Sequence, residues 1–139
     1  MATVTARRRQ RSVLLCWVLR IAGAALLGGM SWVHLDLWEE GYRSIDVIGP
    51  AFLLNAVAGF GLAILLLVTP RPVLPWVALL AALVAAGTMV SLVLATTVGL
   101  FGFHETQEAS LWWQSVWLET AAVLVLVSLA VHVRRRRRT

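Results

Sequence analysis

The sequence predicts an all-α fold, a transmembrane four-helix bundle with both chain ends in the cytoplasm, on three observations. The first is composition: 60% of the 139 residues are hydrophobic and 14% are charged, against about 45–50% and about 25% in a soluble domain. A soluble fold has too little interior to hide that much apolar surface, so lipid must cover it. The second is that the apolar residues fall into four runs, each near the roughly 20 residues a helix needs to cross a bilayer. The third is charge placement. All twelve basic residues are arginine. Arg7, Arg8, Arg9 and Arg11 precede the first run, Arg71 lies between the second and third, and Arg134 to Arg138 follow the fourth. Four crossings put all of these on one side, which the positive-inside rule makes cytoplasmic. Asp36, Glu39, Glu40, Asp46, Glu105 and Glu108 then lie outside, with Arg43.

Taken in order, a basic cytoplasmic tail (1–12) leads into a first helix over about 13–37. A basic start before an apolar run has the layout of a signal peptide, but Arg20 interrupts it, so an uncleaved start-transfer helix is expected. Arg20 itself is expected near the inner edge with its side chain reaching toward headgroups; set deeper, it would need a partner. The second helix covers about 50–68. Pro50 suits its first turn, where a missing N–H costs nothing, and Thr69-Pro70-Arg71-Pro72 ends it in a tight turn. The third covers about 73–100, a short polar loop follows, and the fourth covers about 111–133 before a basic cytoplasmic tail (134–139). Trp32, Trp38, Trp112, Trp113 and Trp117 gather toward the outer boundary, as an interfacial aromatic belt does. A multi-pass protein of the cell membrane is the expected setting.

Small residues recur at four-residue spacing: Ala51, Asn55, Gly59 and Ala63 on the second helix, Ala25 and Gly29 on the first, Ala78, Ala82 and Ala86 and then Gly87, Ser91, Ala95 and Gly99 on the third. Such stripes let helices approach closely in lipid, here for packing within the chain ahead of a homodimer face.

Depth singles out the polar residues. Twenty residues back from Arg134 puts the outer edge of the fourth helix near Gln114, so Glu119 lies about 7–8 Å below it at 1.5 Å per residue. Asn55 is as deep on the second helix, Ser31 and His34 occupy the outer end of the first, and Thr96 and Thr97 that of the third. Ser115 and Glu119 share a helix face. The expected site is therefore a polar pocket in the outer leaflet built from Glu119, His34, Asn55, Ser31, Thr96 and Ser115, with Glu119 touching Asn55 or His34. An ionisable residue inside a membrane is a functional candidate by default, set here against a purely structural carboxyl that locks helices together. The inner half offers little that is polar besides Ser128, whereas a conducting route needs polar groups across the whole thickness.

Other chemistry has less support. The single Cys16 excludes an internal disulfide and a CxxC redox pair. His34, Asp36, His104 and Glu105 form an alternative metal set on the outer face, but no spacing matches a metal motif, so no metal and no particular cofactor is expected. Arg134, Arg135, Arg136, Arg137 and Arg138, directly after a transmembrane run, suit anionic lipid headgroups and not nucleic acid.

The stretch Arg20-Ile21-Ala22-Gly23 through His34, then Gly41-Tyr42-Arg43, Ile48-Gly49-Pro50 and Phe52-Leu53-Leu54-Asn55-Ala56, resembles small four-helix membrane proteins of actinobacteria. More distantly it is similar to the DoxX-like group, in which an arginine opens the first helix and a polar residue closes it. That resemblance covers about the first half of the chain and implies an accessory membrane subunit with quinone-linked redox partners. The functional expectation is a non-enzymatic accessory subunit or small-molecule-binding bundle, alone, as a homo-oligomer or in a larger complex. A quinone-binding redox accessory protein and a small transporter for protons, metal or solute are the alternatives.

Overall fold

The computed structural model describes residues 2–107 and 111–136. Four helices follow one another: α1 (Ala2–Glu40), α2 (Ile48–Val68), α3 (Leu74–Thr97) and α4 (Trp112–Arg135), with one 3-10 turn at Tyr42–Ser44. All four are long and apolar enough to cross a membrane. The connection 41–47 and the segment 98–107 lie at one end of the bundle, the loop end. The start of α1, the 69–73 turn and the end of α4 lie at the other, the tail end.

Two boundaries differ from the sequence reading. Helix α1 begins before residue 13, since residues 2–12 are already helical and continue into it. No glycine or proline occurs before Gly23, and Ala, Arg, Gln and Leu are good helix formers. The 39-residue helix is about 58 Å long at 1.5 Å per residue, well over the ~30 Å of a hydrocarbon core. Helix α3 stops at Thr97 and does not reach Leu100, since Gly99 adopts φ 85°. The chain then reverses, with Leu100 and Phe103 exchanging backbone hydrogen bonds of 2.8 and 2.9 Å.

Packing is uneven. Helix α1 lies along α2 and α4, and α3 lies along α4, but α2 and α3 touch far less. The core fills the tail half, where Leu27, Leu66, Leu74, Ala78, Ala81, Ala85, Ala122, Leu126 and Leu129 are fully buried. The α3 alanines leave almost no side-chain bulk on the buried face, which permits close helix approach. Gly59 does the same on α2: a Cβ there would run into the Ser31 hydroxyl of α1. The small-residue stripes thus serve packing within the chain at Gly59, Ala78 and Ala82, while Ala25 and Ala51 are exposed.

Arg20 corrects the expectation of a side chain reaching for headgroups. It is 6% exposed and turns inward onto the last turn of α2. Its Nε donates to the Leu66 carbonyl at 2.8 Å, and Nη2 donates to those of Leu67 at 3.1 Å and Thr69 at 2.6 Å. The last carbonyls of a helix have no intrahelical donors and carry its negative dipole end, so a guanidinium fork supplies both hydrogen bonds and charge. Trp17 covers it, with its ring centroid 4.8 Å from the guanidinium carbon. No partner was visible in sequence because the partner is backbone.

Candidate functional site

The loose half of the bundle holds a cavity of about 360 Å³. Helix α4 presents Trp112, Ser115 and Glu119 to it, three residues that recur on one face at helical spacing. Helix α1 adds His34, α2 adds Phe52 and Asn55, α3 adds Thr88 and Ser91, and the 98–107 loop adds Phe103 and Glu105.

Three side-chain atoms of residues that line this cavity are buried without any hydrogen-bond partner: both carboxyl oxygens of Glu119 and the indole Nε1 of Trp112. Glu119 is 1% exposed. Buried polar groups are ordinarily satisfied, and a charged one without a partner costs several kcal/mol, on the order of magnitude set by desolvation. The residues around the cavity therefore carry two unmet carboxyl oxygens at Glu119 and one unmet donor at Trp112, nearer the loops.

The expected contact of Glu119 with His34 or Asn55 is not formed. The His34 ring pairs through Nδ1 with the Met30 carbonyl of its own helix at 2.9 Å and lies 5.0 Å from the Phe52 ring. Asn55 donates to Thr88 Oγ1 at 3.1 Å, across the α2–α3 gap. Both groups line the cavity, but each is engaged elsewhere. Ser31 lies outside it: fully buried, its hydroxyl donates to the Leu27 carbonyl at 2.8 Å and faces Gly59. Thr96 also lies outside, its hydroxyl 3.0 Å from the Leu92 and Val93 carbonyls of its own helix. A helical hydroxyl finds an i−4 carbonyl more easily than a neighbouring helix, and depth in the bilayer says nothing of which way a residue faces.

The alternative metal set does not come together. Glu105 accepts from the Tyr42 hydroxyl at 2.6 Å and from the Thr106 N–H at 2.9 Å. His104 packs against the bare backbone of Gly99, where a Cβ would lie 2.5 Å from its Nε2. Asp36 is half-buried on α1, and Glu108 lies outside the described residues. Among the described residues no three His, Cys, Asp or Glu side chains are grouped to hold a metal ion.

The Tyr42–Glu105 hydrogen bond clasps the two loop-end connections over the cavity. Tyr42 also stacks on Phe52 at 4.9 Å and meets the edge of Phe103 at 5.7 Å. Its phenol is pushed up from its ordinary value, by burial first, then by the hydrogen bond and charge of Glu105 and the charge of Glu40. The sequence named Glu105 only as a metal candidate and did not pair it with Tyr42, and it did not assign Thr88 or the inward-facing Trp112 to the site. The signal for Thr88 was present, since Thr88, Ser91 and Ala95 recur at helical spacing. Trp112 was hidden among the interfacial tryptophans.

At the tail end a second cavity of about 240 Å³ is lined by Arg9, Ser12, Arg71, His132 and Arg136 among others. Arg134 stacks over Trp76, 4.5 Å from its ring centroid, and Arg134, Arg135 and Arg136 are exposed; Arg137 and Arg138 lie outside the described residues. Comparison of the chain with protein-family models, curated proteins and solved structures finds no match.

Proposed function

We propose that this protein is a non-enzymatic integral membrane protein, an accessory subunit or small-molecule-binding bundle, whose loop-end cavity binds a small amphipathic molecule through Glu119. One observation carries the reading: the buried carboxyl of Glu119 and the buried indole N–H of Trp112, both unpartnered, belong to residues that line the same cavity. Its volume falls within the range of about 300–1,000 Å³ typical of small-molecule sites. An unsatisfied carboxyl inside a membrane is costly to keep, and a ligand that donates a hydrogen bond to it removes the cost.

The arginine distribution supports N-in and C-in orientation in the cell membrane, which puts the cavity in the outer leaflet and the basic tail end against anionic headgroups. Transport is disfavoured by what lies below Glu119, where Ala122, Leu126 and Leu129 of α4 are buried against Leu27 and Leu66 with no polar step. A quinone-type head, the DoxX-like alternative, is favoured by the aromatic rings of Phe52, Phe103 and Trp112 on the cavity wall, and its reduced quinol form carries the hydroxyl that can donate to Glu119.

Native mass spectrometry of the gently solubilised protein tests the reading. A bound small molecule is expected on the wild type and lost from Glu119→Leu, while Arg134→Gln retains it. Its mass separates a quinone from other amphiphiles, and a co-purifying chain would name an assembly. Wild-type protein that emerges without any bound molecule from membranes of its native host ends the proposal.

A further inference from the structure

We propose that the cavity is loaded sideways, from the bilayer, through the seam between α2 and α3. The occupant is a slender membrane-dissolved amphiphile with a hydrogen-bond donor at its leading end. This rests on the pocket reading above and adds the entry route and the ligand class.

Among the described residues the other walls are better covered. The α1–α2, α1–α4 and α3–α4 seams are packed. The floor is sealed by Ala85 and Ala122, both without solvent exposure. Over the loop end the 98–107 segment is folded down and clasped by Tyr42 on Glu105. The α2–α3 seam differs. These two helices are joined by the tight 69–73 turn at the tail end and touch far less than the other packed pairs. The mouth is edged by Ala51 on α2 and by Gly87 and Ser91 on α3, all three lining the cavity and all three exposed. A Cβ on Gly87 would meet nothing within 4 Å, so the gap there is open space. Ala51 lies within the span Ile48–Val68, and Gly87 and Ser91 within Leu74–Thr97, so this mouth faces acyl chains and not water.

The unmet groups describe the ligand. Trp112 and Glu119 are seven residues apart on α4, about 10.5 Å along its axis. Glu119, the deeper, needs a hydrogen-bonding group, which a hydroxyl supplies as donor and acceptor alike; Trp112, nearer the loops, needs an acceptor. Between and around them Leu37, Phe52, Leu92 and Ala95 make the wall apolar. A hydroxyl-headed single chain or ring system with a second oxygen along its length meets these demands. The cavity volume of about 360 Å³ admits one chain or one ring system, and the remainder of an apolar tail trails through the mouth into lipid. The Asn55–Thr88 hydrogen bond crosses between the same two helices and holds them at the width of the gap.

The test uses the full chain in phosphatidylcholine vesicles doped with hexadecanol that carries a photoreactive diazirine, followed by irradiation and peptide mapping. Glu119 is expected to carry the adduct in the wild type. Gly87→Trp, which fills open space, and Ala51→Trp, which plugs the mouth from the opposite helix, should each cut that adduct about ten-fold or more. Ile64→Trp, at an exposed position of α2 in the tail half, and Tyr42→Phe, at the loop clasp, should leave it within about two-fold. Helical, monodisperse plug variants that still label Glu119 at the wild-type level overturn the lateral route while the pocket reading stands. A large rise in labelling on Tyr42→Phe also overturns it, in favour of entry past the loops. No Glu119 adduct in the wild type removes both.

Discussion

The two ends of this bundle use polar groups in opposite ways. At the tail end the buried arginine is fully engaged: Arg20 donates three hydrogen bonds to the end of α2 and is flanked by close-packed leucine and alanine. At the loop end the buried carboxyl of Glu119 has no partner, and packing gives way to a cavity. Backbone strain follows the same division. Val47, Phe101 and Leu111, the non-glycine residues with positive φ among the described residues, all sit in the loop-end connections, and such conformations persist only where the surroundings over-determine them. One end is built for stability and the other keeps unsatisfied groups, as binding sites do.

The contrast is sharpest when a polar side chain is removed from each end. Arg20→Met should destabilise the fold by about 3 kcal/mol, because it strands buried carbonyls that cost about 1–3 kcal/mol each when unpaired. SDS-driven unfolding in bicelles reads the change, and a loss smaller than about 1 kcal/mol would mean that water or lipid replaces the guanidinium. Glu119→Met should act in the other direction, stabilising by about 1–3 kcal/mol, the cost of burying a polar group without a hydrogen bond. A destabilised Glu119→Met protein would show that the carboxyl is structural glue, and the comparison between the ends would fail.

A smaller effect reads the loop clasp. Tyr42 is the only tyrosine, so absorbance near 295 nm follows its ionisation alone. Its phenol is raised in the folded state, so the stabilisation from its hydrogen bond is fully present below the ordinary value of about 10 and is lost as pH climbs through the higher folded value. The expected midpoint in vesicles lies above 10, falls toward about 10 on unfolding, and drops partway in Glu105→Gln. A midpoint indifferent to Glu105→Gln means the clasp does not hold. Tyr42→Phe itself should cost about 1 kcal/mol, the worth of one partly exposed hydrogen bond.

Much of the architecture could be read along the chain. Four runs of bilayer length, a proline turn at Pro70 and Pro72, and carboxylates confined to one end at 36–46 and 105–108 required only counting, because hydrophobicity and helix length are one-dimensional properties. Glu119 and Ser115 were also legible, since depth and shared face follow from helical spacing on one element. What tertiary structure alone decided is which groups meet. Ser31 and Thr96 occupy the right depth but turn to their own helices' carbonyls, Asn55 finds Thr88, and Arg20 finds the backbone end of α2. Each of these depends on how a helix is rotated against its neighbours. In lipid that rotation is set by small contacts such as Gly59 on Ser31 rather than by a water-facing side. The cavity is decided in the same way, by two helices that share a tight turn at one end and touch far less than the other packed pairs.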